Sequence, residues 1–251
     1  MTRAALALAA AAALAACGSS GGKPPAGPAE PAEPRAIRVP IEDDEVEDGV
    51  EIMSTRGRMD PAAIETGIEP HKEDLGACYT SRVGKRRWLG GRVSIHWDIQ
   101  RDGTLGAVKL AESDLGAWPI EKCLLDIARA ATFGKPIGGD ADFSIPLEFS
   151  AKGRSALWDE DESLKAVGGQ LAKLDACAKA KGVKGPAPED VTVTVYVGPQ
   201  GKAQSVGFAS AKSVLDDLWV DCAEQAALAW RLPDPGGTVA KLAVRYRAQR
   251  N

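Results

Sequence analysis

Cys78 and Cys123 stand 45 positions apart (123 − 78), and so do Cys177 and Cys222 (222 − 177). A spacing that recurs to the residue marks one unit present twice, each copy with its own two cysteines. Four cysteines permit three pairings. Only Cys78 with Cys123 and Cys177 with Cys222 close each copy on itself as one of two equivalent domains, so these two disulfides are the expected ones. Closing a loop of that length stabilises a fold by about 4 kcal/mol in the chain-entropy account.

The fifth cysteine says where such bonds form. Arg3 is followed by an unbroken run of Ala and Leu from Ala4 to Ala16, which has the form of a secretory signal and is too short to span a bilayer. Leu14-Ala15-Ala16-Cys17 resembles the box at which bacterial lipoproteins are cleaved and the cysteine acylated. Residues 1–16 are therefore read as a lipoprotein signal peptide and Cys17 as the lipidation site. Gly18, rather than Asp, follows the cysteine, which by the same resemblance implies an outer-membrane, periplasm-facing location. That compartment is oxidising, in keeping with two disulfides.

Residues 17–58 read as a tether. Gly, Ser, Pro and Ala dominate its first part, and the stretch 42–51 then places seven carboxylates in ten residues. This composition buries no core, and the acidic run lacks the oxygen spacing of a calcium loop. The whole chain carries 31 Lys and Arg against 35 Asp and Glu, a net of −4, so nucleic acid is excluded as a partner. Residues 59–150 carry 11 basic and 14 acidic side chains (−3), and residues 163–251 carry 12 and 8 (+4). A contact between the copies, held by these opposite net charges and weakened by salt, is expected.

Within the first copy Asp60-Pro61 signals a helix start, and Ile64, Ile68, His71, Leu75 and Cys78 recur at helical spacing with Pro70 set to split the stripe. Val93, Ile95, Trp97 and Ile99 alternate with Ser94, His96, Asp98 and Gln100, as in a strand with one buried face. Asp102-Gly103 turns it into a return strand through Val108 and Leu110. A second helix starts near Pro119, and a last strand carries Phe143, Ile145, Leu147 and Phe149. The second copy repeats the order from Ser163, with strands at 191–197, 206–208 and 242–246 and a helix bearing Leu215, Trp219 and Cys222. The expected fold is α+β: two tandem domains, 59–150 and 163–251, joined by an acidic linker at 151–162. Each is helix-strand-strand-helix-strand, with two helices on a three-stranded antiparallel sheet of order 2-1-3 and Pro146 on its outer edge.

At Cys78-Tyr79, Gly91-Arg92-Val93, Trp97-Asp98-Ile99, Asp102-Gly103, Cys123, Phe133 and Pro136 the first copy resembles the C-terminal domain of gliding-motility proteins of the AgmX/PglI type. More distantly it is similar to the periplasmic C-terminal domains of TonB and TolA. The resemblance covers about residues 59–150, with a diverged copy at 163–248. There Ala178 replaces the tyrosine, and the turn glycine follows its cysteine by 24 residues (201 − 177) rather than 25 (103 − 78). It implies a non-catalytic module that binds an envelope protein. A part in a trans-envelope energy-coupling or motility machine is the alternative, although TonB-type transducers are held by an inner-membrane helix where this chain offers a lipid anchor.

Chemistry-bearing residues are sparse. His71 lies on the apolar helical stripe and reads as packed. His96 shares a strand face with Ser94 and Asp98, but residues alternating along one strand leave no orienting group behind the histidine, so no catalysis is expected there. An envelope enzyme or glycan-binding factor using the His96 face is the remaining alternative. Asp216-Asp217 sit in a helical first turn, where the helix dipole accounts for them. No metal or cofactor is expected. The basic cluster Lys85-Arg86-Arg87-Trp88 is the candidate binding element, suited to an acidic glycan, a lipid headgroup or a protein. If Cys17 carries the anchor, Cys17→Ser moves the protein from the membrane fraction to the soluble one or leaves its signal uncleaved; membrane attachment unaffected by the change rules the anchor out.

Overall fold

The computed structural model describes residues 56–248; Cys17, the tether and the acidic run at 42–51 lie outside the described residues. Helix α1 (Pro61–Ile68) begins as its sequence signals, with Asp60 accepting from the Ala62 amide at 2.9 Å and Pro61 in the first turn. Pro70 lacks an amide hydrogen to continue the ladder, so one 3₁₀ turn at Glu69–His71 divides α1 from α2 (Lys72–Val83). Strands β1 (Gly91–Ile99) and β2 (Leu105–Ser113) form the hairpin turned at Asp102-Gly103, followed by α3 (Trp118–Ala130) and β3 (Ala141–Phe149).

These strands form an antiparallel sheet of order β2-β1-β3, and Pro146 occupies the edge strand opposite Ser94. Val93, Ile95, Trp97 and Ile99 are buried beneath the helices, while Ser94, His96 and Asp98 on the other face remain half-exposed. Trp97 fixes the layer spacing: its indole donates to the Ala128 carbonyl of α3 at 3.0 Å, and its ring stacks on Phe143 at 5.2 Å. Cys78 of α2 and Cys123 of α3 lie at disulfide distance, with Cα atoms 5.8 Å apart.

The second copy departs from expectation at its start. Ala156–Leu157 forms a short strand, β4, parallel to the last strand of the chain, so this sheet is four-stranded rather than three-stranded. Helix α4 (Glu160–Val167) then begins three residues before Ser163. Asp159 accepts from the Glu162 amide at 2.8 Å, the Glu162 side chain accepts from the Asp159 amide at 3.2 Å, and three carboxylates fill the first turn. The acidic run read as linker is thus a capping box at the positive end of a helix dipole. At Gly168 the chain passes into a 3₁₀ segment, Gly168–Lys179, that buries Leu174 and Cys177.

Strands β5 (Val191–Val197) and β6 (Ala203–Ala209), helix α5 (Asp217–Leu228) and strand β7 (Ala240–Tyr246) complete the sheet in the order β4-β7-β5-β6. Asp216 caps α5, accepting from Leu218 and Trp219. Cys177 and Cys222 again lie at disulfide distance, with Cα atoms 5.6 Å apart. Replacing Cys78 and Cys123 with alanine should lower the unfolding free energy by about 4 kcal/mol in urea titration. Non-reducing peptide mapping of the native chain should recover Cys78 with Cys123 and Cys177 with Cys222, and a cross-copy pair would contradict this arrangement.

Candidate functional site

The two copies meet along a seam built from the edge strands β2 and β6 and the start of α3. An unpaired strand edge exposes amides that need acceptors. Along β6 the first copy supplies them: the Leu110 carbonyl accepts from the Ser210 amide at 2.9 Å, and the Glu121 carboxylate accepts from the Phe208 amide at 3.0 Å. Glu121 is fully buried, and its other oxygen accepts from the Ser113 hydroxyl at 2.6 Å. Position 207 must be glycine, because a Cβ there would stand 2.4 and 2.5 Å from the Glu121 oxygens.

The outer face of the second sheet closes over the first copy. Thr194, Tyr196 and Ser205 are all buried. Their hydroxyls donate to the carbonyls of Ser113 (3.3 Å), Gly90 (2.7 Å) and Gly116 (2.7 Å). Gly116 adopts a φ of +66° and approaches Thr194 so closely that a Cβ would lie 2.9 Å from its methyl group. Ion pairs flank the contact: Lys122 with Asp221 at 2.7 Å, Arg129 with Asp217 through two bonds of 2.9 Å, and Lys241 with Asp114 at 3.1 Å. The first two set cations of the acidic copy against anions of the basic copy, opposite to what the net charges predict. Local geometry, not net charge, orders this seam.

Where the seam opens at one end, a cleft of about 910 Å³ lies between the copies. Its charged lining is mixed: Arg92, Lys212 and Arg245 with Glu112, Asp114, Glu148 and Asp190. Asp190 is held below the usual carboxylate range, chiefly by its hydrogen bond with Lys212. With three cations against four carboxylates, the lining presents both signs to a ligand.

The His96 face holds more than its own strand suggested. Asp98 does reach the ring, with Oδ1 3.3 Å from Nε2, and the cross-strand neighbour Ser144 places Oγ 2.9 Å from Nδ1. The expectation that no group orients this histidine is therefore corrected: strand twist brings Asp98 to one nitrogen, and β3 supplies a partner 48 positions away in sequence. Ser94, the serine singled out from sequence, is not the one against the ring. The cavity beside this face, about 290 Å³, is lined by Arg56, Asp98, Asp140 and Asp142 among others, but by neither His96 nor Ser144. His71 is half-buried at the start of α2. Among the described residues no group of three or more His, Cys, Asp or Glu side chains is placed to hold a metal ion.

The basic cluster divides in two. Trp88 turns inward and packs on the Tyr196 ring with centroids 4.6 Å apart, so it belongs to the seam. Arg86 folds back on the end of α2, donating to the carbonyls of Val83 and Arg82, while Lys85 and Arg87 are exposed. Compared with known proteins, the chain matches no family model, no characterised protein and no solved structure.

Burial raises the Glu121 carboxyl up to about 7, against the opposing pull of hydrogen bonds from Ser113, Phe208, Ala117 and Gly116. The folded chain thus binds this proton more tightly than the unfolded chain does. The corresponding stability is fully present below pH ~4.5 and is lost as pH rises to ~7, by about 3 kcal/mol in all. Subtracting the stability–pH profile of Glu121→Gln from that of the native chain should reveal this fall, and identical profiles would show that Glu121 does not titrate in that window.

Proposed function

We propose that this chain is a non-catalytic lipoprotein of the bacterial envelope, anchored through Cys17 at the outer membrane, which binds an envelope protein as an assembly module. The lipoprotein box, the paired cysteines and the resemblance to TonB-like domains support this reading from sequence. The observation that carries it is the fate of the strand edges. β2 and β6 face each other across the seam, and β4 covers part of β7. β3, nine residues from Ala141 to Phe149, closes the first sheet with no further strand beside it among the described residues. An open edge accepts an extended segment of a partner through main-chain hydrogen bonds, with alternate side chains conferring selectivity. Pro146 withholds one amide from any such ladder and confines pairing to the parts of β3 on either side of it.

The contact of His96 with Ser144 and Asp98 is the one observation favouring the alternative of an envelope enzyme or glycan-binding factor. The two readings separate experimentally. A photo-crosslinking residue at Glu148, on β3, should capture a defined envelope protein in cells, whereas the same residue at Lys165, on α4, should not. Equal capture from both positions removes β3 as the docking edge. Labelling of Ser144 by a serine-directed fluorophosphonate would favour the enzyme.

A further inference from the structure

The link between the copies returns to the basic cluster. The Gly153 amide donates to the Arg87 carbonyl at 2.6 Å, which brings the stretch that carries Lys152 and Arg154 against the stretch that carries Lys85 and Arg87. Four cations separated by more than sixty positions of sequence (152 − 87 = 65) thus form one patch. All four are exposed, and none has an ion pair or side-chain hydrogen bond among the described residues. Arg86 adds a fifth charge, half-buried against the end of α2 and near the carboxylate of Glu224.

An apolar group projects beside them. Leu157 pairs with Lys241 and Lys241 with Tyr196, so the three side chains leave the second sheet on the same face. That is the face on which Trp88 packs, one residue beyond Arg87. Leu157 is 77 % exposed, the most exposed large apolar side chain among the described residues. None of these cations, nor Leu157, lines the cleft between the copies. An exposed cationic patch with one projecting leucine and no enclosing pocket suits a flat anionic surface rather than a small soluble ligand.

We infer that Lys85, Arg87, Lys152 and Arg154, with Leu157 as an apolar foot, form a docking surface for a membrane of anionic phospholipid. How the patch meets a membrane in the cell rests on the lipid-anchored reading above. The interval from Cys17 to Arg56 is 39 residues (56 − 17), and a chain of that many residues can reach at most ~130 Å. That exceeds the span of roughly 30 Å along a nine-residue strand such as β1. A surface held within such reach of a bilayer meets it continually, and each basic residue at an anionic surface strengthens attachment roughly fivefold.

The test uses the mature chain carrying Cys17→Ser, purified without acyl groups, in co-sedimentation with vesicles of phosphatidylethanolamine and phosphatidylglycerol and with vesicles of phosphatidylcholine alone. Binding is expected to the anionic vesicles only and to fall as salt rises. The variant Lys85→Glu/Arg87→Glu/Lys152→Glu/Arg154→Glu should lose it by roughly several hundredfold, and Leu157→Glu should weaken it. Reversal of four exposed lysines elsewhere (Lys135, Lys165, Lys179 and Lys181) should have a much smaller effect, and the thermal unfolding of each variant reports that its fold is intact. Three results would overturn the inference: no binding to anionic vesicles, equal loss in the two fourfold variants, or binding to polyglutamate in place of vesicles. Because this chain carries no lipid, the outcome is independent of whether Cys17 is acylated.

Discussion

A carboxylate without solvent, placed where two sheet edges meet, is the constraint on which the arrangement of the two copies depends. Glu121 belongs to the first copy, yet one of its oxygens accepts an amide of the second, and both oxygens lie over a glycine that must remain a glycine. Removing such a group leaves the Phe208 amide buried without an acceptor, and an unmade buried hydrogen bond is more harmful than the made bond is favourable. Around that side chain the Ser113 hydroxyl, the Phe208 amide and Gly207 converge, and the neighbouring Gly116 carbonyl accepts from Ser205 of the second sheet.

Much of each copy was legible in the sequence because it rests on local periodicity. Alternation of Val93, Ile95, Trp97 and Ile99 with polar residues gives a strand, the apolar stripe to Cys78 gives a helix that Pro70 divides, and the cysteine spacing gives the pairing found in space. The relation between copies was not legible for a physical reason. Thr192, Thr194 and Tyr196 alternate with valines just as Ser94, His96 and Asp98 alternate with their apolar neighbours, and a polar strand face reads identically whether water or another part of the fold satisfies it. In the first copy that face stays half-exposed; in the second, Thr194 and Tyr196 are buried against carbonyls of the 90–116 region. Glu121 was equally hidden, since a glutamate in a helical first turn is ordinary in any sequence.

Net charge was a poor guide for a related reason. It sums side chains over a whole copy, whereas the seam samples only a few, and Lys122 and Arg129 lie there by virtue of helix position. Asp159 to Glu162 show the same lesson in the linker: read as a run of charge they suggest repulsion and extension, but spaced as cap and first turn they begin a helix.

Lys122 and Asp221 each stand immediately before the second cysteine of their copy, so they are the same position of the repeated unit, and they face each other. Two identical units meeting this way would set like charge against like; opposite charges at one equivalent position favour the unlike partnership. With both partners on one chain, separated by a short connection, the local concentration of each about the other is fixed in the millimolar range by that connection rather than by expression level. The pairing therefore survives dilution that would dissociate a dimer of single units, and it does so even at the scarcity of a protein present in a few copies per cell.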